Sequence, residues 1–103
     1  MVDAQEFINK NCPDKTIKTL DLANKNLEGK LDLSDFTELE ELNCSNNRLT
    51  NLKFADEKKL TKLDLRDNYF AQKDLSFLSN FTNLESLKLG RKRINLTYAL
   101  TTV

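Results

Sequence analysis

The chain has few of the side chains that enzymes use for chemistry. It contains no histidine, the commonest general base and metal ligand among side chains. Its two cysteines, Cys12 and Cys44, form no Cys-x-x-Cys pair, and two glycines, Gly29 and Gly90, are too few for a phosphate-binding loop. We therefore expect no enzymatic activity, no cofactor and no metal site.

Charged side chains offer a second kind of chemistry, the recognition of a charged partner. The 16 basic and 16 acidic residues give a formal net charge of zero, which speaks against nucleic-acid binding. Six acidic residues and only one basic residue lie between Glu28 and Glu41, whereas Lys88 and the cluster Arg91 to Arg93 crowd the other end. Two weaker hypotheses follow: the basic cluster contacts nucleic acid or an anionic surface, or the two ends attract each other between molecules.

A repeated spacing of apolar residues must position these groups. It is an eleven-residue frame with defined residues at positions 1, 4, 6, 9 and 11, and it occurs twice in succession in the centre of the chain: Leu39, Leu42, Cys44, Asn47, Leu49, then Leu60, Leu63, Leu65, Asn68, Phe70. Less regular copies begin at Ile17 and Leu84 and carry lysines, Lys25 and Lys92, at position 9. The four starting residues, 17, 39, 60 and 84, give periods of 22, 21 and 24 residues.

This spacing, L-x-x-L-x-L-x-x-N-x-L, resembles the unit of the leucine-rich repeat family, here as a small, asparagine-rich module. The resemblance covers roughly residues 16–95 and implies an α/β solenoid with about four parallel strands on its concave side. We expect one domain over residues 1–103, with these repeats: 17–38, 39–59, 60–83 and 84–95.

The frame also has a physical explanation. Positions 4 and 6 are two residues apart, so on a strand they point to the same side and enter the core, whereas positions 3, 5 and 7 point outward. Cys44 stands where the frame has leucine, so we expect a small buried side chain. The amides of Asn47 and Asn68 offer both a donor and an acceptor to the inward-pointing backbone of the turn. Lysine accepts no hydrogen bond, so the outer two turns must be built differently.

The two ends of the chain differ from the repeats. Asp3, followed by Glu6, predicts a helix start, and Pro13 ends the helix, so a helix over 3–12 is expected to cap the N-terminal end of the core. Residues 96–103 alternate apolar and polar side chains, which is typical of a strand. This tail either caps the core or pairs with another chain in a homodimer.

The connections between the frames carry aromatic residues for the convex side. Phe36 and Phe81 each lie three residues before a frame, which predicts equivalent core sites. Glu57 has that place in the second connection, so we expect the aromatic packing to be interrupted there. The spacing over residues 74–80 predicts a short helix.

The outward positions form columns across the predicted strands. Position 3 has Thr19, Glu41, Lys62 and Ser86; position 5 has Asp21, Asn43, Asp64 and Lys88; position 7 has Ala23, Ser45, Arg66 and Gly90. Neighbouring strands then juxtapose Glu41 with Lys62 and Asp64 with Lys88, and one interpretation is a solvated face whose charges pair with each other. The other interpretation is a binding surface, with these predicted contact residues: Glu41, Asn43, Lys62, Asp64, Arg66 and Lys88.

The sequence thus favours a non-enzymatic protein–protein interaction module that presents a polar concave surface to a protein or peptide. The alternative is a repeat segment of a larger receptor-like or kinase-associated protein that self-associates through its C-terminal end. The start MVDAQEFINK lacks the pattern of a secretory leader, and no apolar stretch is long enough to span a membrane. We therefore expect a cytoplasmic protein with no membrane partner.

Overall fold

The computed structural model of the protein describes residues 1–70 and 78–90, which form one α-helix and two parallel β-sheets. The elements are β1 (Val2–Asp3), α1 (Ala4–Asn11), β2 (Thr19–Asp21), β3 (Leu27–Leu33), β4 (Glu41–Asn43), β5 (Arg48–Phe54), a 3₁₀ turn (Glu57–Lys59), β6 (Lys62–Asp64) and β7 (Ser86–Lys88). Four strands, in the order β2-β4-β6-β7, form one sheet, and β1-β3-β5 form the other.

Each strand of the four-stranded sheet covers positions 3 to 5 of the frame, so the predicted parallel strands are confirmed. The register pairs Thr19 with Glu41, Glu41 with Lys62, and Lys62 with Ser86, so equivalent positions lie side by side. Backbone hydrogen bonds between neighbouring coils continue beyond the strand ends, as between the Leu22 N–H and the Asn43 carbonyl at 2.7 Å. The frame is therefore a structural repeat as well as a sequence repeat.

The core lies between the two sheets. The residues at positions 4 and 6 of the first three frames are buried, as predicted, and Cys44 is fully buried among them. They form one hydrophobic cluster with the inward side chains of the other sheet: Leu27, Leu31, Leu33, Leu49, Leu52 and Phe54. Both sheets thus depend on the same apolar column.

The three-stranded sheet was not predicted. Strands β3 and β5 have seven residues each and are joined in parallel by six register pairs, with one irregularity between Gly29 and Lys30. Gly29 has φ +89°, a conformation that favours glycine. The extra residue opposite this step is Thr50 on β5, which shifts the alternation of buried and exposed side chains between Leu49 and Leu52 and obscures the strand pattern in the sequence.

Position 8 of the first three frames adopts a left-handed backbone. Asn24, Asn46 and Asp67 have φ between 57° and 58°. Asparagine and aspartate are the non-glycine residues that adopt this conformation most readily. The Asn46 side-chain amide also donates to the Asn24 side-chain oxygen on the neighbouring coil. Asn24 and Asn46 are thus explained by the backbone, because these coils leave their strands through a left-handed residue.

The position-9 asparagines bind the backbone as predicted, and each reaches into the preceding coil. The Asn47 side-chain oxygen accepts hydrogen bonds from the backbone N–H groups of Lys25 at 3.2 Å and Leu27 at 3.0 Å. Its amide nitrogen donates to the carbonyls of Leu22 at 2.8 Å and, in its own coil, Cys44 at 3.0 Å. Lys25 has the same frame position in the first coil, and no earlier frame precedes that coil. An amide that binds the backbone of a preceding frame is therefore not needed at position 25.

Asn68 repeats this arrangement one coil later. Its oxygen accepts from the Leu49 N–H at 3.0 Å, and its nitrogen donates to the Cys44 carbonyl at 2.9 Å. Asn47 and Asn68 are 6% and 3% exposed, so these bonds are shielded from water. The two amides therefore connect three consecutive coils.

The N-terminal helix α1 covers one edge of the three-stranded sheet. Asp3 is its N-cap and accepts a hydrogen bond from the Glu6 N–H at 3.0 Å, and Ala4 and Ile8 are buried against the core. Gln5 binds both backbone groups of Asp32 on β3, accepting from its N–H at 2.7 Å and donating to its carbonyl at 3.2 Å. The helix thus shields the edge of β3 beyond the two residues that pair with β1. In the described part of the chain, no helix is long and apolar enough to cross a membrane.

We expect Asp3→Ala to lower the free energy of unfolding by about 1 kcal/mol, because it removes the acceptor at the helix start. Urea unfolding followed by circular dichroism measures this change. Asp35→Ala is a matched control, since Asp35 is exposed and has no hydrogen-bond partner in the described residues. Equal losses in the two variants would contradict the capping role.

The aromatic residues of the connections lie in the core. Phe36 and Phe81 are buried, as predicted. The expected interruption at Glu57 is wrong, because Phe54 packs edge to face on Phe81, with ring centroids 5.2 Å apart and an interplanar angle of 83°. Of the helix predicted over 74–80, residues 78–80 adopt a 3₁₀ conformation. Predictions that lie outside the described residues concern the rest of that helix, Lys92, the basic cluster 91–93 and the tail 96–103.

Candidate functional site

A shallow groove of about 250 Å³ runs across the outward face of the four-stranded sheet. Its lining comes from all four strands and consists of Thr19, Leu20, Asp21, Glu41, Leu42, Asn43, Lys62, Leu63, Asp64, Ser86 and Lys88. The groove thus brings together five of the six predicted contact residues, Glu41, Asn43, Lys62, Asp64 and Lys88. Arg66 lies beyond the strand end and does not line it.

The position-5 residues of the groove also terminate their strands. The side-chain oxygens of Asp21, Asn43 and Asp64 each accept a hydrogen bond from the backbone N–H two residues later, at 3.0, 3.0 and 3.2 Å. This is an Asx turn, in which the side chain takes the place of a backbone carbonyl. Because one oxygen is used in the turn, each of these side chains has a fixed orientation at the groove floor.

The comparisons with known proteins bear on this repeated geometry. Residues 38–56 and 59–81 match the family model described as Leucine Rich Repeat. These two segments are leucine-rich repeats. Each matched segment contains one central strand, β4 or β6, and one position-9 asparagine, Asn47 or Asn68. No curated protein and no solved structure gave a significant match to the chain.

In the third repeat, Asp64 is paired with Arg66. The Arg66 guanidinium donates through Nε at 3.0 Å and through a terminal nitrogen at 2.8 Å to the two carboxylate oxygens of Asp64. The hydrogen bonds to Asp64 raise the pKa of Arg66. Asp64 and Lys88 are register neighbours, as predicted, but they form no ion pair within 4.0 Å among the described residues. Asp64 pairs with Arg66 and not with Lys88 because the guanidinium can donate two hydrogen bonds to one carboxylate.

Glu41 and Lys62 remain without an ionic partner. They are register neighbours on the β4 and β6 strands of adjacent repeats, yet no ion pair within 4.0 Å joins them in the part of the chain that the structure describes. An exposed pair of this kind contributes only about 0.2–1 kcal/mol, so its formation in solution would be a weak competitor for a partner. The interpretation of a fully self-paired face therefore does not hold for these two groups.

Three polar groove residues were not among the predicted contacts. Thr19 and Asp21 come from the first repeat, and Ser86 comes from the fourth. These residues could have been predicted from the sequence, because they occupy positions 3 and 5 of the two less regular frames. The register extends the surface to these outer repeats.

The remaining reactive groups do not form a second site. Burial raises the pKa of the Cys44 thiol well above its usual range, so it is no nucleophile, and its sulfur donates to the Asp64 carbonyl at 3.6 Å. Across residues 1–70 and 78–90, no group of three or more acidic or cysteine side chains is placed to hold a metal ion. The groove is therefore the candidate site on this part of the molecule.

Proposed function

We propose that this protein is a non-enzymatic interaction module that binds a protein or peptide through the groove of its four-stranded sheet. We further propose that its repeats curve into a solenoid with this sheet on the concave side. The two matched repeats support the class of function, since leucine-rich repeats commonly mediate protein–protein interaction. The observation that carries the proposal is the position of Glu41 and Lys62 at the centre of the groove, where the two side chains form no ion pair within the described residues.

The size of the groove supports a macromolecular partner. Small-molecule sites usually enclose about 300–1,000 Å³ and are mostly apolar. This groove has about 250 Å³ and is lined mainly by charged and polar residues. The groove can accommodate a few side chains of a macromolecular partner whose other residues contact the surrounding surface.

Charge reversal at Lys62 tests the proposal. Proteins from the native source are captured on the immobilised chain and quantified by mass spectrometry, and the affinity of each captured protein is then measured by calorimetry. We expect a partner whose Kd rises at least about tenfold with Lys62→Glu, which corresponds to about 1.4 kcal/mol. Lys62 is preferable to Arg66 as the test residue, because a change at Arg66 also leaves Asp64 without its partner.

Lys30→Glu is the matched control, since Lys30 is an exposed lysine on β3 of the other sheet. It is expected to change the Kd by less than about twofold. If Lys62→Glu leaves every captured protein bound with unchanged affinity, the groove is not the binding surface. Capture of no protein at all would also count against the proposed function.

A further inference from the structure

We propose that the partner segment is extended and bipolar, with a cationic and an anionic side chain about 10 Å apart, the cationic one over β2 and β4 and the anionic one over β6 and β7. This inference rests on the proposed function and deepens it by assigning the chemistry of the partner. It derives from the order of charges across the groove, the hydrogen-bonding capacity of its centre and the spacing of its strands.

The charges are sorted by strand. Asp21 on β2 and Glu41 on β4 make the N-terminal half of the groove acidic, and Lys62 on β6 and Lys88 on β7 make the C-terminal half basic. The carboxylate of Asp64, on the basic half, is neutralised by its two hydrogen bonds to the Arg66 guanidinium. The groove therefore has one negative half and one positive half.

These charges are available to a ligand. The side chains of Glu41, Lys62 and Lys88 have no hydrogen bond or ion pair with any of the described residues, and the Asp21 side chain uses one oxygen to accept from the Ala23 N–H. A partner with the complementary order of charges would satisfy both halves at once. A partner with charges of one sign would be attracted by one half and repelled by the other.

The centre of the groove offers a hydrogen-bond donor between the two charged halves. Asn43 accepts from the backbone N–H of Ser45 at 3.0 Å and from its hydroxyl at 2.7 Å, both through the same side-chain oxygen. Its side-chain nitrogen has no acceptor within the described part of the chain. The turn fixes this amide, which can donate to a backbone carbonyl of an extended segment lying across the strands.

The strand spacing sets the distance between the partner's charges. Neighbouring strands are about 4.8 Å apart, so the midpoints of the β2–β4 and β6–β7 pairs are about 10 Å apart. In a polyproline II segment, residues three apart lie on the same side at about 9.3 Å. A lysine or arginine followed three residues later by glutamate or aspartate, in either chain direction, therefore fits the groove.

Proline-rich nonapeptides test this inference by amide chemical-shift titration, which detects weak binding. The probes contain Lys-Pro-Pro-Glu, Lys-Pro-Pro-Lys or Glu-Pro-Pro-Glu in identical flanks. We expect the bipolar peptide to shift the amides of β4 and β6 and to bind at least tenfold tighter than either unipolar peptide. In Glu41→Lys the preference should change to the doubly acidic peptide, and in Lys62→Glu to the doubly basic one. A misfolded variant cannot produce such an exchange of preference.

Two outcomes would overturn the inference. One is equal or tighter binding of a unipolar peptide to the unmodified protein, and the other is a preference that does not change with the sign of residues 41 and 62. Either result, together with a captured protein that is lost in Lys62→Glu, refutes the bipolar segment and leaves the binding function intact. If Lys62→Glu also keeps every captured protein, the proposed function fails as well.

Discussion

Asn47→Ala is expected to lower the free energy of unfolding by about 2–4 kcal/mol. The substitution leaves the backbone N–H groups of Lys25 and Leu27 without their acceptor and the Leu22 carbonyl without its donor. A buried polar group without a partner costs about 1–3 kcal/mol, and the bond to Leu27 lies in the fully buried part of the turn. Urea unfolding followed by circular dichroism measures the loss as a lower midpoint with an unchanged slope.

Lys25→Ala is the control for this prediction, because Lys25 occupies the same frame position in the first coil and its side chain is exposed. Its backbone N–H keeps the hydrogen bond to Asn47, so we expect a change within about 0.5 kcal/mol. If Asn47→Ala were as mild as Lys25→Ala, water would be replacing the amide at little cost. The asparagine would then not connect the coils energetically.

Leu63→Ala is the second large effect, with an expected loss of about 3 kcal/mol. Leu63 is 2% exposed and lies on β6, between β4 and β7. Truncating a buried leucine removes its transfer free energy and leaves a cavity, which together cost about 2–5 kcal/mol. In a stacked repeat each coil contacts only its neighbours, so the cavity weakens both interfaces of the third coil. The total free energy of unfolding of a domain of this size is about 5–15 kcal/mol, so this loss is a large part of it.

Leu87→Ala is the matched control, at the same position of the fourth frame. The Leu87 side chain is only half-buried, so its truncation is expected to lose less than Leu63→Ala. Thermal unfolding and urea unfolding should both show a larger loss of stability in Leu63→Ala than in Leu87→Ala. An equal loss at the two positions would contradict the idea that the centre of the stack carries most of the core stability.

The repeat geometry could be predicted from the sequence because its determinants are local. The alternation of positions 3 to 6 fixes which side chains face the core, and the constant period fixes the register, so Thr19, Glu41, Lys62 and Ser86 align as expected. The need for an amide at Asn47 followed from the inward-pointing backbone of the turn alone. These inferences use nothing beyond strand periodicity and hydrogen-bond satisfaction.

The second sheet was missed for a physical reason. Strands β3 and β5 begin at positions 11 and 10, directly after the turn, and the extra residue Thr50 breaks the alternation of β5. The later pairs, Leu31 with Leu33 and Leu52 with Phe54, do alternate, so a weaker signal was present. The two-residue strand β1 has no such signal, because its pairing depends on the position of β3 in space.

The groove could be predicted as a set of columns but not as a set of ion pairs. Register alone places Lys88 beside Asp64. The carboxylate binds Arg66 instead, because the chain turns at the strand end and brings a side chain two residues away into bidentate contact. Such a choice depends on side-chain geometry, which column positions do not contain. Partner contacts at Glu41, Lys62 and Lys88 stay a prediction.

The direction in which the asparagines reach gives the stack a one-way order of assembly. Asn47 closes the turn that contains Leu22 and Leu27, and Asn68 closes the turn that contains Cys44 and Leu49. Within the described residues, these two turns are thus each completed by the asparagine of the following coil. During synthesis on the ribosome, we therefore expect the first of these turns to stay hydrated until residue 47 has emerged, and the second until residue 68 has emerged.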